Sequence, residues 1–289
     1  MPKNILITGS RGFIGKALFQ KIQSQFPGYY LFGFDIDDGD ISVVKPSYNN
    51  INHVIHLAAR TYIPDSWKEP YNFYRTNVMG TNNILEYCRE LNATLTYISA
   101  YVYGEPETLP ITEKHPLKPN SPYMHSKVLC ESLCKFYSEH YNLDITVLRP
   151  FNLYGPNQSG VFLVPHIIKQ LLNNKLNTIT VNDLHPKRDY LYIDDLLDAI
   201  ILCLDHKKKI EFYNVGYGES FSVMEIIQYL IEITGLNKEV ISEQKIRKNE
   251  IQDVVADIKK IKDNLGWAPK TSIKEGLKKT VESFITHEL

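Results

Sequence analysis

The chain is 289 residues long, 43% apolar and 22% charged, with a formal net charge of −1. This is globular composition, enough for one large domain or two closely joined ones. The balanced charge excludes a broad basic surface for nucleic acid or a membrane face, and no run approaches the ~20 apolar residues of a membrane span.

The predicted elements alternate between strand and helix. KNILITG (3–9) is a continuous apolar run ending in glycine, as a buried parallel strand is. Residues 12–26 follow with helical spacing of Phe13, Ile14, Ala17, Leu18 and Ile22. YYLFGFDI (29–36) and INHVIHLAA (51–59) read as strands, and 71–91 as a helix. ATLTYIS (93–99) is a strand, 121–141 a helix and DITVLRP (144–150) a strand. This alternation predicts an α/β fold with a parallel, doubly wound sheet and right-handed crossovers. Beyond Pro150 the rhythm loosens into the turn-rich FNLYGPNQSG (151–160). Helices are expected over 164–174, 192–206, 222–235 and 257–266, with Gly235 and Gly266 as stops, and a short strand over 178–181. No repeat or long linker separates this part, so it is expected to pack on the sheet as a smaller lobe.

TGSRGFIG (8–15) lies where the first strand ends and the first helix begins. Gly9 permits a tight turn, Gly12 close approach of a pyrophosphate, and Gly15 close helix–strand packing. The helix N-terminus offers N–H groups and a positive dipole end to phosphates. Asp35 follows at the ~20-residue distance expected of a ribose-binding carboxylate. It repels a 2′-phosphate, as do Asp37 and Asp38, and so favours NAD(H). Arg11 works the other way and keeps NADP(H) open, since a guanidinium there could grip that phosphate.

Farther on, Tyr123 and Lys127 of SPYMHSK stand four residues apart in what reads as the first turn of a helix, and so share a face. Both an ordinary amphipathic helix start and a phenol acidified by an ammonium group fit that spacing. Cys88, Cys130, Cys134 and Cys203 show no zinc-like or CxxC spacing, and the opening MPKNILITGS has too short an apolar run for a secretory signal. A cytoplasmic protein with reduced thiols and no metal site is expected.

Taken in order, TGxxGFxG, HLAA, YxxxK and RPFNLYGP resemble the extended short-chain dehydrogenase/reductase family, within it the nucleotide-sugar epimerase, dehydratase and ketoreductase branch. The likeness runs through nearly the whole chain, to VVADIKKIKDNLGWAPKTSIKEGL (254–277). It implies a Rossmann dinucleotide domain over 1–153, rejoined by part of 186–220, and a mixed α/β substrate lobe over 154–185 and 221–289. It implies cofactor contacts from Gly9, Arg11, Gly12, Phe13, Ile14, Gly15, Asp35, Asp40, Ile41, Leu57, Ala58, Ala59 and Pro150, together with Tyr123 and Lys127. In the family the matching tyrosine is the acid or base at a sugar hydroxyl or ketone, and the matching lysine holds the nicotinamide ribose and lowers the tyrosine pKa. A cation ~4 Å away supplies on the order of 4 kcal/mol. Lys127 is therefore expected to draw Tyr123 from ~10 toward neutrality, before any cost of burial. Ser99 matches the hydroxyl residue that holds the same substrate oxygen.

For the substrate, the resemblance implies Asn152 as an amide contact to the nucleotide phosphates, with Leu163 beside it. Arg188 and Arg247 would clamp the diphosphate by paired hydrogen bonds. A surface ion pair is the plain alternative for each arginine. Many UDP-sugar members stack an aromatic residue on uracil where this chain has Asn182, which leaves the base open. The carboxylates of the family's 4,6-dehydratases are replaced by Ala100 and Tyr101, which excludes a typical dehydratase. Tyr101 reads as an aromatic wall beside the sugar.

Epimerases and ketoreductases share the Ser99, Tyr123 and Lys127 set. The short DIDDGDIS (35–42) leaves the adenosine little covered, favouring a cofactor that exchanges. The expected reaction is NAD(P)H-dependent reduction of a 4-keto nucleotide-6-deoxysugar at C4. NAD-dependent 4-epimerisation of a nucleotide sugar is the runner-up, and a catalytically inactive NAD-sensing relative is third. A homodimer is expected through a four-helix bundle built from 76–91 and 121–141, with no nucleic-acid or membrane partner.

Overall fold

The computed structural model describes residues 3–206, 208–245 and 250–287. In the first half, β1 (Asn4–Thr8), α1 (Phe13–Gln25), β2 (Tyr30–Phe34), β3 (His53–His56), α2 (Ile63–Lys68), α3 (Pro70–Phe73), α4 (Gly80–Leu91), β4 (Thr94–Ile98), α5 (Pro122–Tyr141) and β5 (Ile145–Pro150) follow one another. The second half contains β6 (Asn152–Tyr154), α6 (Leu163–Leu172), β7 (Thr178–Val181), β8 (Lys187–Arg188), β9 (Tyr190–Tyr192), α7 (Ile193–Cys203) and β10 (Ile210–Val215). β11 (Phe221–Ser222), α8 (Val223–Thr234), β12 (Glu239–Ser242), α9 (Lys259–Leu265) and α10 (Ile273–His287) complete it.

The main sheet runs β10–β5–β4–β3–β1–β2, and every pairing in it is parallel. The doubly wound sheet expected from the alternating pattern is therefore present. Side chains alternate across the pleat. Ile5 and Ile7 enter one core while Leu6 enters the core on the opposite face. Such burial on both sides is why the strand reads as an unbroken apolar run. Strand order reverses at β1, between β2 and β3, and this switch point opens a crevice at the strands' C-terminal ends.

The core containing Ile5 and Ile7 continues into Ile167 of α6, Ile226 of α8 and Leu277 of α10. The later elements thus cover one face of the sheet, while β10 returns to complete its edge. Smaller pairs, β6–β9, β7–β12 and β8–β11, lie outside this sheet.

The helix expected over 71–91 is interrupted by a π-helical turn at Tyr74–Met79. There the buried Asn77 accepts from the Arg60 N–H at 2.8 Å and donates to the Arg60 carbonyl at 3.1 Å and to Ser126 Oγ at 2.9 Å. These bonds tie the turn to both the β3 loop and α5, a tertiary demand that apolar spacing does not carry. Among the described residues, no helix is long and apolar enough to cross a membrane.

Candidate active site

A cavity of about 1060 Å³ occupies the crevice. Its floor is the glycine loop. Gly9 has φ +68°, and a Cβ there would stand 2.8 Å from the Ala58 amide nitrogen, so only glycine fits. A Cβ on Gly15 would overlap the Gly9 carbonyl oxygen. On Gly12 it would meet only that oxygen, at 3.2 Å, a tight contact but not an overlap. α1 has no side-chain cap, and its first amides can receive an anion. Phe13, Ile14, Leu57, Ala58, Ala59, Ile41, Asp40 and Pro150 also line the cavity.

Asp35 lies at the rim, where its carboxylate accepts from the Arg11 N–H at 2.7 Å and the Ile36 N–H at 2.8 Å. Asp40 is paired with Arg75 at 2.7 Å and accepts from Ser42, which holds its carboxyl below the usual range. Arg11 corrects an expectation. Its guanidinium is paired with Asp37 at 2.8 Å and Asp38 at 3.1 Å, and it is not among the cavity walls. The cation and anions set against each other in the sequence reading neutralise one another instead, because the turn at Ile36–Asp38 folds back over the glycine loop.

Opposite the loop stands α5. Ser121 caps it by accepting from the Met124 N–H at 3.2 Å, and Pro122 opens its first turn. This cap presents Tyr123 and Lys127 on the face toward the cavity. Tyr123 is half-buried, its ring edge-on to Phe73. Lys127 is buried, donates to the Ile98 carbonyl at 2.8 Å and lies 4.9 Å from the centre of the Tyr97 ring. Burial pushes the Lys127 ammonium down to about 8, opposed by Cys130 and Glu131. Burial also pushes the Tyr123 phenol up. Among the protein's own groups, burial and then Cys130 set the direction of the phenol. Sharing a face brings the pair to one wall, but the ammonium reaches back to the end of β4, and the apolar surroundings of the phenol decide its acidity.

Ser99, just beyond β4, is buried in the same wall, and its hydroxyl donates to Glu131 Oε1 at 2.6 Å. Tyr101 donates to the Gly104 carbonyl at 2.5 Å and packs edge-on against Tyr103 and Phe151. Burial pushes its phenol up as well, so it forms a wall and holds its proton. Asn152, Leu163 and Arg188 complete the far end. Arg188 donates to the Ile251 carbonyl at 2.7 Å and pairs with Glu250. Beside it the buried Asp189 accepts from the Tyr217, Gly218 and Ala256 N–H groups, at 2.6, 2.9 and 3.0 Å. Burial pushes the Asp189 carboxyl up to about 6 against those three bonds. Arg247 lies outside the described residues. Asn182 is exposed at the end of β7, away from the cavity walls.

Glu131 and Arg149 went unread in the sequence. Glu131 follows Lys127 by one helical turn, and that spacing was the available signal. Among the described residues, no cluster of histidine, cysteine, aspartate and glutamate could hold a metal ion.

The GDP-mannose 4,6-dehydratase family model matches residues 23–280. The chain belongs to this family, in the nucleotide-sugar branch of the extended short-chain dehydrogenases/reductases, whose members are NAD(P)-dependent oxidoreductases and epimerases. It is 30% identical to GDP-6-deoxy-D-mannose reductase of Pseudomonas aeruginosa over 96% of both chains. The solved structure of RMD from Pseudomonas aeruginosa with NADPH aligns with TM-score 0.88 and 29% identity over 99% of each chain. A variant of UDP-glucuronic acid 4-epimerase from Bacillus cereus, solved with a fluorinated UDP-sugar and NAD, aligns with TM-score 0.88 and 28% identity over 98% of this chain and 99% of that one.

Proposed function

We propose that the protein reduces a 4-keto nucleotide-6-deoxyhexose at C4, with NAD(H) favoured over NADP(H). The observation that carries this reading is the meeting of Ser99, Tyr123 and Lys127 with the glycine loop on one cavity, where Tyr123 would protonate an oxygen as alkoxide develops. When bound, the nicotinamide supplies or removes hydride. Ser99 would fix the C4 oxygen, and Lys127 would hold the nicotinamide ribose. The adenosine rim agrees, since the turn beside it, Ile36–Asp38, is short and Ile36 is 70% exposed. Ala100 can move no proton and the Tyr101 phenol is bonded to the backbone, so elimination of water has no acid–base pair.

The residues fit a dinucleotide. Gly12 leaves room for a pyrophosphate at the uncapped start of α1, and Asp35 offers its carboxylate where a ribose would lie. For NADP(H), Arg11 would have to give up Asp37 and Asp38. Residues 1–153 with the returning part of 186–220 would hold the dinucleotide, while 154–185 and 221–289 would form the lobe that holds the nucleotide sugar. Asn152 and Leu163 would line its phosphates and sugar. Arg188 would reach the diphosphate on leaving Glu250, with Arg247 as second clamp.

Nucleotide-sugar 4-epimerisation is the second reading, favoured by the shared Ser99, Tyr123 and Lys127 set. The deciding measurement is the cofactor content of the purified protein, followed by titration with NADH and NADPH. Protein that arrives without cofactor, binds NADH more tightly, and oxidises it only with a 4-keto sugar nucleotide is the expected result. Retained NAD+ with interconversion of C4 epimers would establish the epimerase instead.

A homodimer is part of the same reading. On the outer side of the π turn and α5, Met79, Leu129, Phe136 and Tyr141 are exposed, Phe136 at 49%. Two copies joined there would cover these side chains in a four-helix bundle. Sedimentation at micromolar concentration is expected to give a dimer; a monomer would remove this part of the proposal.

A further inference from the structure

Glu131 is 3% exposed and Arg149 4% exposed. A buried carboxylate is tolerated when paired, and Arg149 supplies that pairing, with Nε on Oε1 at 2.9 Å and Nη2 on Oε2 at 2.6 Å. The pairing does not account for the third bond, in which the Ser99 hydroxyl donates to Oε1 at 2.6 Å. A hydroxyl bound at that distance to an ionised group is held in one place.

We infer that Glu131, anchored by Arg149, is the positioning residue that sets the Ser99 hydroxyl against the C4 oxygen of the substrate. The inference rests on the catalytic reading of Ser99 proposed above. Residues 123, 127 and 131 fall at i, i+4 and i+8 on α5, so one helix face carries Tyr123 and Lys127 and, through Glu131, also locates Ser99. The anchor itself is rigid. Arg149 Nη1 donates to the Tyr103 hydroxyl at 2.8 Å, which donates to Asn214 Oδ1 at 2.5 Å. The guanidinium lies 5.2 Å from the Tyr103 ring centre and 5.0 Å from that of Phe212. β5 and β10 thereby fix Arg149, Arg149 fixes Glu131, and Glu131 fixes Ser99 Oγ. With its proton held by Glu131, Ser99 Oγ keeps a lone pair that can accept from the C4 hydroxyl formed on reduction.

The test is a double-mutant cycle read as kcat and KM separately. NADH oxidation is followed with GDP-, UDP- and dTDP-linked 4-keto-6-deoxyhexoses as probes. Ser99→Ala is expected to lower kcat on the order of 10²-fold, as loss of a group aimed at a reacting oxygen does. Glu131→Asp keeps the charge but withdraws it by one methylene. It is expected to lower kcat roughly ten-fold, with KM for NADH unchanged, and to add nothing in the Ser99→Ala background. Losses that multiply in the double variant would overturn the inference and leave Glu131 a fold residue. An unchanged kcat in Ser99→Ala alone would instead overturn the catalytic reading of Ser99, and the inference with it. If Glu131→Asp does not fold, Arg149→Lys carries the same cycle with the same expectations, since it keeps a cation but gives up the two-pronged hold on Glu131.

Discussion

Tyr123→Phe is expected to lower kcat by ~10²–10⁴-fold, the usual effect of losing an acid–base group, while leaving NADH affinity within about two-fold. Phenylalanine keeps the ring that packs edge-on against Phe73, so the α5 wall stays in place. Only the proton donor is removed. The neighbouring tyrosine cannot replace it, because the Tyr101 hydroxyl is bonded to the Gly104 carbonyl. The pH profile of the unaltered protein should agree. Tyr123 stays protonated through neutral pH, whereas the Lys127 ammonium is pushed down to about 8. A group with a lowered basic pKa is charged below that value and neutral above it, so reduction should decline as pH rises through about 8. Steady-state kinetics with NADH and fluorescence titration of NADH binding check both statements. Turnover that survives in Tyr123→Phe would remove the tyrosine from the reaction.

The second large effect separates two glycines of the same loop. Gly15→Ala is expected to destabilise the fold by about 1–3 kcal/mol, the cost of forcing an extra methyl into a packed interior. Its Cβ would overlap the Gly9 carbonyl and stand 2.8 Å from Ser10 Cα, both backbone, so α1 must move off β1. Gly12→Ala should cost less stability than Gly15→Ala. Its φ of −72° suits any residue, and its Cβ meets only one atom, at 3.2 Å. The methyl would instead stand where a pyrophosphate approaches. Hydrogen bonds to charged groups are worth about 1.5–3 kcal/mol, so losing one or two should weaken dinucleotide binding ~10–100-fold or more. Urea denaturation and NADH titration of the two variants give the comparison. Equal stability losses, or unaltered binding in Gly12→Ala, would contradict the assigned roles.

Much of this was legible because it is local. Ile5, Leu6 and Ile7 read as a buried strand since both faces of the sheet are covered. Ser121 followed by Pro122 marks the start of α5. The spacing of Gly12 and Gly15 reports backbone contacts made within the loop itself, whereas Gly9 answers to Ala58. What escaped was set by distant partners. Glu131 and Arg149 look like solvated charges in sequence, and only the meeting of α5 with β5 makes them a buried pair. The Tyr123 phenol was read from its neighbour four residues on, yet burial by other elements sets its direction. The π turn depends on Asn77 reaching Arg60. α10 was missed, although Ile273, Leu277 and Val281 repeat every four residues and all face the core.

The place of β10 at the sheet's edge has a consequence for how the chain is made. β10 pairs with β5, but residues 151–209 come between them. On the ribosome, β5 emerges long before its neighbour and presents an unpaired strand edge, a template for wrong association. The wait ends only when Ile210–Val215 has been synthesised. Even then one face of the sheet lacks Leu277 and Val281, which come from the last helix. N-terminal regions fold first during synthesis, and here that order delivers a nascent sheet that stays sticky until Ile273–His287 has been made. A chain stalled between residues 150 and 210 would therefore be the form most in need of a chaperone.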